Sequence, residues 1–298
     1  MDEGIKTCPM TVDGMKDGIF FIIDDSNSRC GITDRLKAAV GLCYAARMNG
    51  LDFRFIHRAG FDIRDYLAPN RIPWSAEMSD LSDLPGEKRE IKYLVPYTDL
   101  KGLKKGVQYV CKRYVGNNIM EKWDVPDWKR LWRDLFWDMF TPSDAVTDAL
   151  KSCDTPERYT AVVVRFINSL GHAEDTLYNS PLPPDMQEKL IDAVLLRVAE
   201  CEKGSDHRIV VYSDSARFLE RARASGYMIT DANGIGNIMN GDVGDYVILR
   251  TFVNMLQMAK AEKICSVLHI DGFPENSLYR TQYPRYAAII GDRPFIRL

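Results

Sequence analysis

The stretch Ile264–Cys265–Ser266–Val267–Leu268, with the polar run His269 to Gln282 and then Tyr283–Pro284–Arg285–Tyr286–Ala287–Ala288–Ile289–Ile290, decides how this 298-residue chain is read. Its opening apolar run has the length and β-branching of a buried strand. The middle carries Asp271–Gly272, Pro274 and Asn276–Ser277, which are loop and turn residues. Pro284 suits the first position of a helix, where a missing N–H costs nothing, and Gly291 is expected to stop that helix. Strand, loop and helix start together offer free backbone N–H groups and a positive dipole end to an anion. Arg280 and Arg285 flank the helix start, so the unit reads as a diphosphate cradle. The competing reading is an ordinary strand–loop–helix unit with two surface arginines.

Working outward, βα units repeat through the second half. Tyr159 to Arg165 is the clearest buried strand, with Ala161–Val162–Val163–Val164 running straight into Arg165. A loop with Glu174 and Asp175 follows, then a helix from Pro183–Pro184 to Cys201. Ile209–Val210–Val211–Tyr212 and Tyr227 to Thr230 are further strands, and Ser213–Asp214–Ser215 is placed to cap the helix after the first of them. A helix over Val243 to Ala261 is expected to turn Val247, Leu249, Phe252, Val253, Leu256 and Met258 inward. Repeated βα units predict a doubly wound parallel sheet. Arg165, Asp214 and the 277–285 segment then all fall at carboxyl ends of strands and can share one crevice. A guanidinium at a strand end can bind a phosphate with two prongs and offset leaving-group charge. It can equally pair with Glu174 or Asp175.

The first half opens in the same way. Gly18 to Ile23 predicts a central strand, followed by Asp24–Asp25–Ser26–Asn27. Gly31–Ile32–Thr33–Asp34–Arg35–Leu36 opens a helix to about Asn49, with Thr33 as the expected cap and Gly50 as the stop. Phe53 to His57 is the next strand. Asp34 and Arg35 therefore stand just inside a helix start at the carboxyl end of a strand, where open α/β sheets bind ligands. The alternative is that Asp34 only complements the helix dipole, with Arg35 a solvated face residue. Candidate strands follow at Lys92 to Val95 and Val107 to Val110. The stripe Trp128, Leu131, Trp132, Leu135, Phe136, Met139 and Phe140 predicts a helix whose aromatic face is core or an interdomain contact. A boundary is expected at the polar stretch Lys151 to Glu157, which gives domains 1–152 and 153–298.

Composition limits the function classes. A net charge of −3 without a block of like charges does not indicate a nucleic-acid partner. The start Met1–Asp2–Glu3 carries no signal-peptide pattern, and no apolar run is long enough for a transmembrane segment. Seven cysteines without a C-x-x-C pair read as reduced thiols, so a cytoplasmic location is expected. The four histidines form no metal-ligand spacing, so no metal is expected.

Four matches, in order along the chain, resemble the metal-independent fucosyltransferase superfamily of bacterial, nodulation, protein O- and core-fucosyltransferases. They are Gly31–Ile32–Thr33–Asp34–Arg35–Leu36; Val163–Val164–Arg165; Val211–Tyr212–Ser213–Asp214–Ser215; and Thr251–Phe252–Val253–Asn254 with Thr281–Gln282–Tyr283–Pro284–Arg285–Tyr286–Ala287. The resemblance implies a GT-B-like α/β fold, two Rossmann-like domains facing a cleft. The N-terminal one is on the acceptor side and the C-terminal one binds the nucleotide-sugar. It implies inverting, metal-independent transfer of fucose or a similar sugar from a GDP-sugar donor to a glycan acceptor, as in bacterial polysaccharide biosynthesis, with no further cofactor. Carried onto this chain, Arg165 would hold the β-phosphate and Asp214 the nucleoside. Thr281 and Tyr283 would hold the diphosphate through backbone N–H groups. Gly31, Asp34 and Arg35 would face the cleft from the N-terminal side, and Asp34 or Glu174 is the candidate base. The chain departs from the family pattern at Val163 (a histidine there), Asn254 (an acid) and Pro284 (a serine). Those departures favour the alternative of a catalytically silent relative that binds a nucleotide-sugar or glycan.

Overall fold

The computed structural model describes residues 18–24, 31–81, 90–94, 100–112, 118–171, 180–202, 207–230 and 244–298. In the first half β1 (Gly18–Ile23) leads to α1 (Ile32–Met48) and β2 (Asp52–His57). The short β3 (Leu67–Pro69) is followed by β4 (Glu90–Leu94) and β5 (Val107–Cys111). Then come α2 (Ile119–Lys122), α3 (Trp128–Met139), β6 (Phe140–Pro142) and α4 (Asp144–Lys151). The strands β2-β1-β5-β4 form one parallel sheet, and β3 pairs antiparallel with β6.

The second half contains β7 (Tyr159–Val164), α5 (Pro184–Glu202), β8 (Arg208–Ser213), α6 (Ala216–Ala224) and β9 (Met228–Ile229). It continues with α7 (Asp245–Lys260), β10 (Lys263–Val267), α8 (Tyr283–Gly291) and β11 (Phe295–Arg297), the last a strand without a sequence signal. These strands form a second parallel sheet in the order β11-β10-β7-β8-β9. The winding reverses between β7 and β10, and a doubly wound sheet opens its ligand crevice at that point. β7 is buried on both faces: Ala161 and Val163 enter the core shared with the first half, while Val162 and Val164 enter a second core under α5 and α6. A strand covered on both sides needs the unbroken apolar run that made it legible.

The shared core runs from α1 through α3 to α7 and α8. The aromatic stripe of α3 supplies the seam: the Trp132 ring meets that of Tyr286 at 4.9 Å, and Trp137 Nε1 donates to the Ile290 carbonyl at 3.1 Å. Tyr66 stacks on Phe252 at 5.0 Å, and Asn118 Nδ2 donates to the Tyr286 hydroxyl at 3.1 Å.

Several local expectations change. Gly31, not Thr33, is the cap residue of α1, and it makes no side-chain cap bond; Thr33 is buried within the first turn. Ser215 alone caps α6, accepting from the Phe218 N–H at 3.2 Å. On α7 the inward residues include Ile248, Asn254 and Gln257, whereas Val247 and Leu249 are only half-buried. Gly291 lies within α8, and the left-handed stop falls on Asp292 at φ 54°. The glycine is required for a different reason: a Cβ there would stand 1.9 Å from the Ala259 carbonyl oxygen, so α8 could not approach α7.

Candidate functional site

Arg165 follows β7 directly and stands at the point where the second sheet reverses. Its carbonyl accepts from the Tyr279 N–H at 2.8 Å, which fastens the loop after β10 to the end of β7. The guanidinium lies over the Tyr279 ring at 4.9 Å, an arrangement that shields a cation while keeping its edge available. Nε is 3.7 Å from Asp214 Oδ2, and the two side chains are each 12% exposed. The contact is ionic without being a hydrogen bond, and buried Nε has no hydrogen-bond partner among the described residues.

Asp214 is held by its own chain. Its carboxylate accepts from the Phe166 N–H at 2.9 Å and the Ile167 N–H at 2.8 Å. Ile167 adopts φ 50°, a left-handed conformation costly for a β-branched residue, and the two bonds to one carboxylate hold it there. Burial raises the Asp214 pKa, and the opposing pull of Arg165 and the two amides does not cancel it. The structure thus gives Asp214 a scaffold role for the turn after β7 that its place in Ser213–Asp214–Ser215 did not reveal.

The cradle is also internally bonded. The Thr281 N–H donates to the Tyr279 carbonyl at 3.0 Å, and the Tyr283 N–H donates to the Thr281 hydroxyl at 3.2 Å. The Tyr283 side chain points into the core, where its hydroxyl donates to the Thr251 carbonyl and burial raises its pKa. Arg280 is exposed and pairs with Glu275 at 3.2 Å. Arg285 turns toward the first half, donating to Glu121 at 2.8 Å with its guanidinium 5.4 Å from the Trp128 ring centre. Both amides expected to meet a diphosphate are therefore engaged, and the two arginines diverge.

On the N-terminal side, Gly31 has an extended backbone that any residue adopts, and a Cβ there would meet nothing within 4 Å. Asp34 is 32% exposed and accepts from Lys37 at 2.9 Å. It lies close enough to α8 to contribute to the raised Tyr286 pKa, after burial. Arg35 is 1% exposed, so it is neither a solvated face residue nor open to the cleft. Its Nη1 is 2.6 Å from His57 Nε2, and its guanidinium is 5.6 Å from the Phe61 ring centre. His57 Nδ1 lies 3.1 Å from the Phe61 carbonyl and must carry the proton, which leaves Nε2 as a lone-pair acceptor for Arg35. Burial first, then the charge of Arg35, lowers the His57 pKa from 6.5 to about 3. Glu174, like Asp175 and Asp25, lies outside the described residues.

His57 has a consequence for stability. Its folded pKa is depressed, so below pH 6.5 the unfolded chain takes up a proton that the folded chain refuses. Stability from this residue is complete above that pH and falls as pH drops, by about 1 kcal/mol on going from about pH 6.5 to about pH 5.5. Urea unfolding of wild type and His57→Gln across this window measures the difference; parallel pH profiles would remove the neutral-histidine assignment.

Neither Tyr279 nor the Phe166–Ile167 amides stood out in the sequence, because the first acts through a contact made only when β10 lies beside β7 and the amides through one made only when β8 does. Among the described residues no group of three or more His, Cys, Asp or Glu side chains is gathered as a metal site. No helix among them is long and apolar enough to cross a membrane.

Neither a protein-family model nor a curated protein sequence matches the chain. Solved structures do. The fold is similar to that of the fucosyltransferase NodZ from Bradyrhizobium, at 12% identity over 90% of each chain with a TM-score of 0.57. NodZ alpha-1,6-fucosyltransferase soaked with GDP-fucose matches at 12% identity over 91% of this chain and 92% of that one, with a TM-score of 0.57. The same enzyme co-crystallized with GDP matches at 12% identity over 90% and 91%, again at 0.57. The chain therefore shares its GT-B-like α/β architecture of two parallel sheets with a fucosyltransferase.

Proposed function

We propose that this chain is a glycosyltransferase that moves fucose or a similar sugar from a GDP-sugar to a glycan acceptor, with inversion and without a metal. The observation that carries the reading is Arg165, a guanidinium at the winding reversal of the nucleotide-side sheet with a buried Nε that has no hydrogen-bond partner among the described residues. The GDP-fucose and GDP complexes of NodZ, which has the same architecture, support the choice of donor. Residues 1–152 would serve the acceptor and 153–298 the donor. The acceptor oxygen attacks the anomeric carbon as the bond to the diphosphate breaks, and Arg165 offsets the charge gathering on the leaving group. With the Thr281 and Tyr283 amides engaged, more of that stabilisation falls on Arg165. Asp34, partly exposed and paired with Lys37, or Glu174 would take the acceptor proton.

A silent nucleotide-sugar or glycan binder is the second reading. Val163 is packed in the core, and Asn254 is fully buried with its amide Nδ2 unpartnered among the described residues, so these two of the three departures from the family pattern lie inside the protein. GDP is expected to raise the melting temperature without added divalent metal, and EDTA should leave the shift unchanged. A shift that needs magnesium or manganese would contradict the metal-independent reading. GDP binding without GDP-fucose hydrolysis or transfer would select the silent relative.

A further inference from the structure

Away from the winding reversal, a crevice of about 290 Å³ opens between the connector after α4, the β8–β9 edge and one face of α7. Arg165, Asp214, Tyr279 and Thr281 are absent from its lining, so it is not the site above. Gln257 lines it, is 3% exposed, and has no partner for its acceptor Oε1. Arg250, two helical turns earlier on the same face, lines it as well and has a buried donor Nε without a partner. Among the described residues its other nitrogens reach only Cys153 Sγ and Asn254 Oδ1, each at 3.5 Å. Buried donors and acceptors that no described residue satisfies call for a further partner. At the mouth stand Tyr246, 54% exposed, together with Asp154 and Thr155.

We propose that this crevice is a binding subsite for a neutral sugar ring, separate from the donor site. A pyranose carries hydroxyls that both donate and accept around its edge, so one ring can satisfy Arg250 Nε and Gln257 Oε1 together. Its C–H face is apolar and suits the Tyr246 ring. Arg250 and Asp154 balance in charge, which disfavours a strongly anionic ligand. The volume is at the lower end of small-ligand pockets, about 300 Å³, the scale of one sugar unit rather than a nucleotide. The proposal does not depend on the transfer reaction.

Saturation-transfer NMR of the whole chain with the methyl glycosides of glucose, mannose, galactose and fucose at millimolar concentration tests it. At least one glycoside is expected to bind, and Tyr246→Ala and Gln257→Leu are each expected to weaken it about five-fold or more, the loss of one stacking or hydrogen-bonding contact. GDP affinity should be unchanged in both variants, so this proposal and the donor reading fail separately. Tyr246 is exposed, so its variant keeps the test decisive even if Gln257→Leu does not fold. The proposal is overturned if no glycoside binds, if a bound glycoside is held equally by Tyr246→Ala, or if GDP displaces it.

Discussion

Asp214→Ala should lower the stability of the folded chain by about 2–4 kcal/mol, because it orphans two buried backbone donors at once. The carboxylate holds the amides of Phe166 and Ile167 in the turn that carries Arg165, and Ile167 sits at φ 50° only with that support. Asp214→Asn should cost roughly half as much: one oxygen still accepts, but the new amide nitrogen faces a second donor. Were Asp214 a simple helix cap, asparagine would serve almost as well as aspartate. Chemical denaturation of the two variants separates these cases, and an Asn variant as stable as wild type would refute the turn-holding role. The pH dependence adds an independent sign. The Asp214 pKa is raised by burial, so its contribution strengthens as pH falls through the folded pKa, opposite to that of His57.

Arg165→Lys should weaken GDP binding by tens-fold, roughly 2 kcal/mol, the scale of one hydrogen bond to a charged group. Lysine keeps the charge but lacks the planar fork that suits a phosphate and the flat face that lies over Tyr279. Guanosine, which has no phosphate, should bind the variant and wild type alike. Equal losses for both ligands would instead mean that the substitution disturbs the Asp214-supported turn. Unaltered GDP affinity in a folded Arg165→Lys protein would remove the phosphate role and most of the proposed mechanism with it.

The sequence alone determined the strands of both sheets apart from β11, for identifiable reasons. β1 and β7 are buried on both faces and so had to be written as unbroken apolar runs, Ile19–Phe20–Phe21–Ile22–Ile23 and Ala161–Val162–Val163–Val164. The α3 stripe recurs at helical spacing because one face meets the core, and its core or interdomain reading matches the contacts to Tyr286 and Ile290. Arg165 at a strand end was equally legible, since a cation after a core strand is a local anomaly.

Tertiary structure decided what each polar group touches. Arg35, an ordinary helix residue by position, is sealed beneath Phe61 against a neutral His57, because β2 returns beside β1. The Thr281 and Tyr283 amides could be counted in the sequence as free donors, but the path of the loop after β10 gives both an internal acceptor. Gly291 has the form of a helix stop, yet it is demanded by a carbonyl on α7, more than thirty residues away. Spacing along the chain reports which side chains share a face; hydrogen-bond partners and close approaches between elements depend on how those faces are brought together.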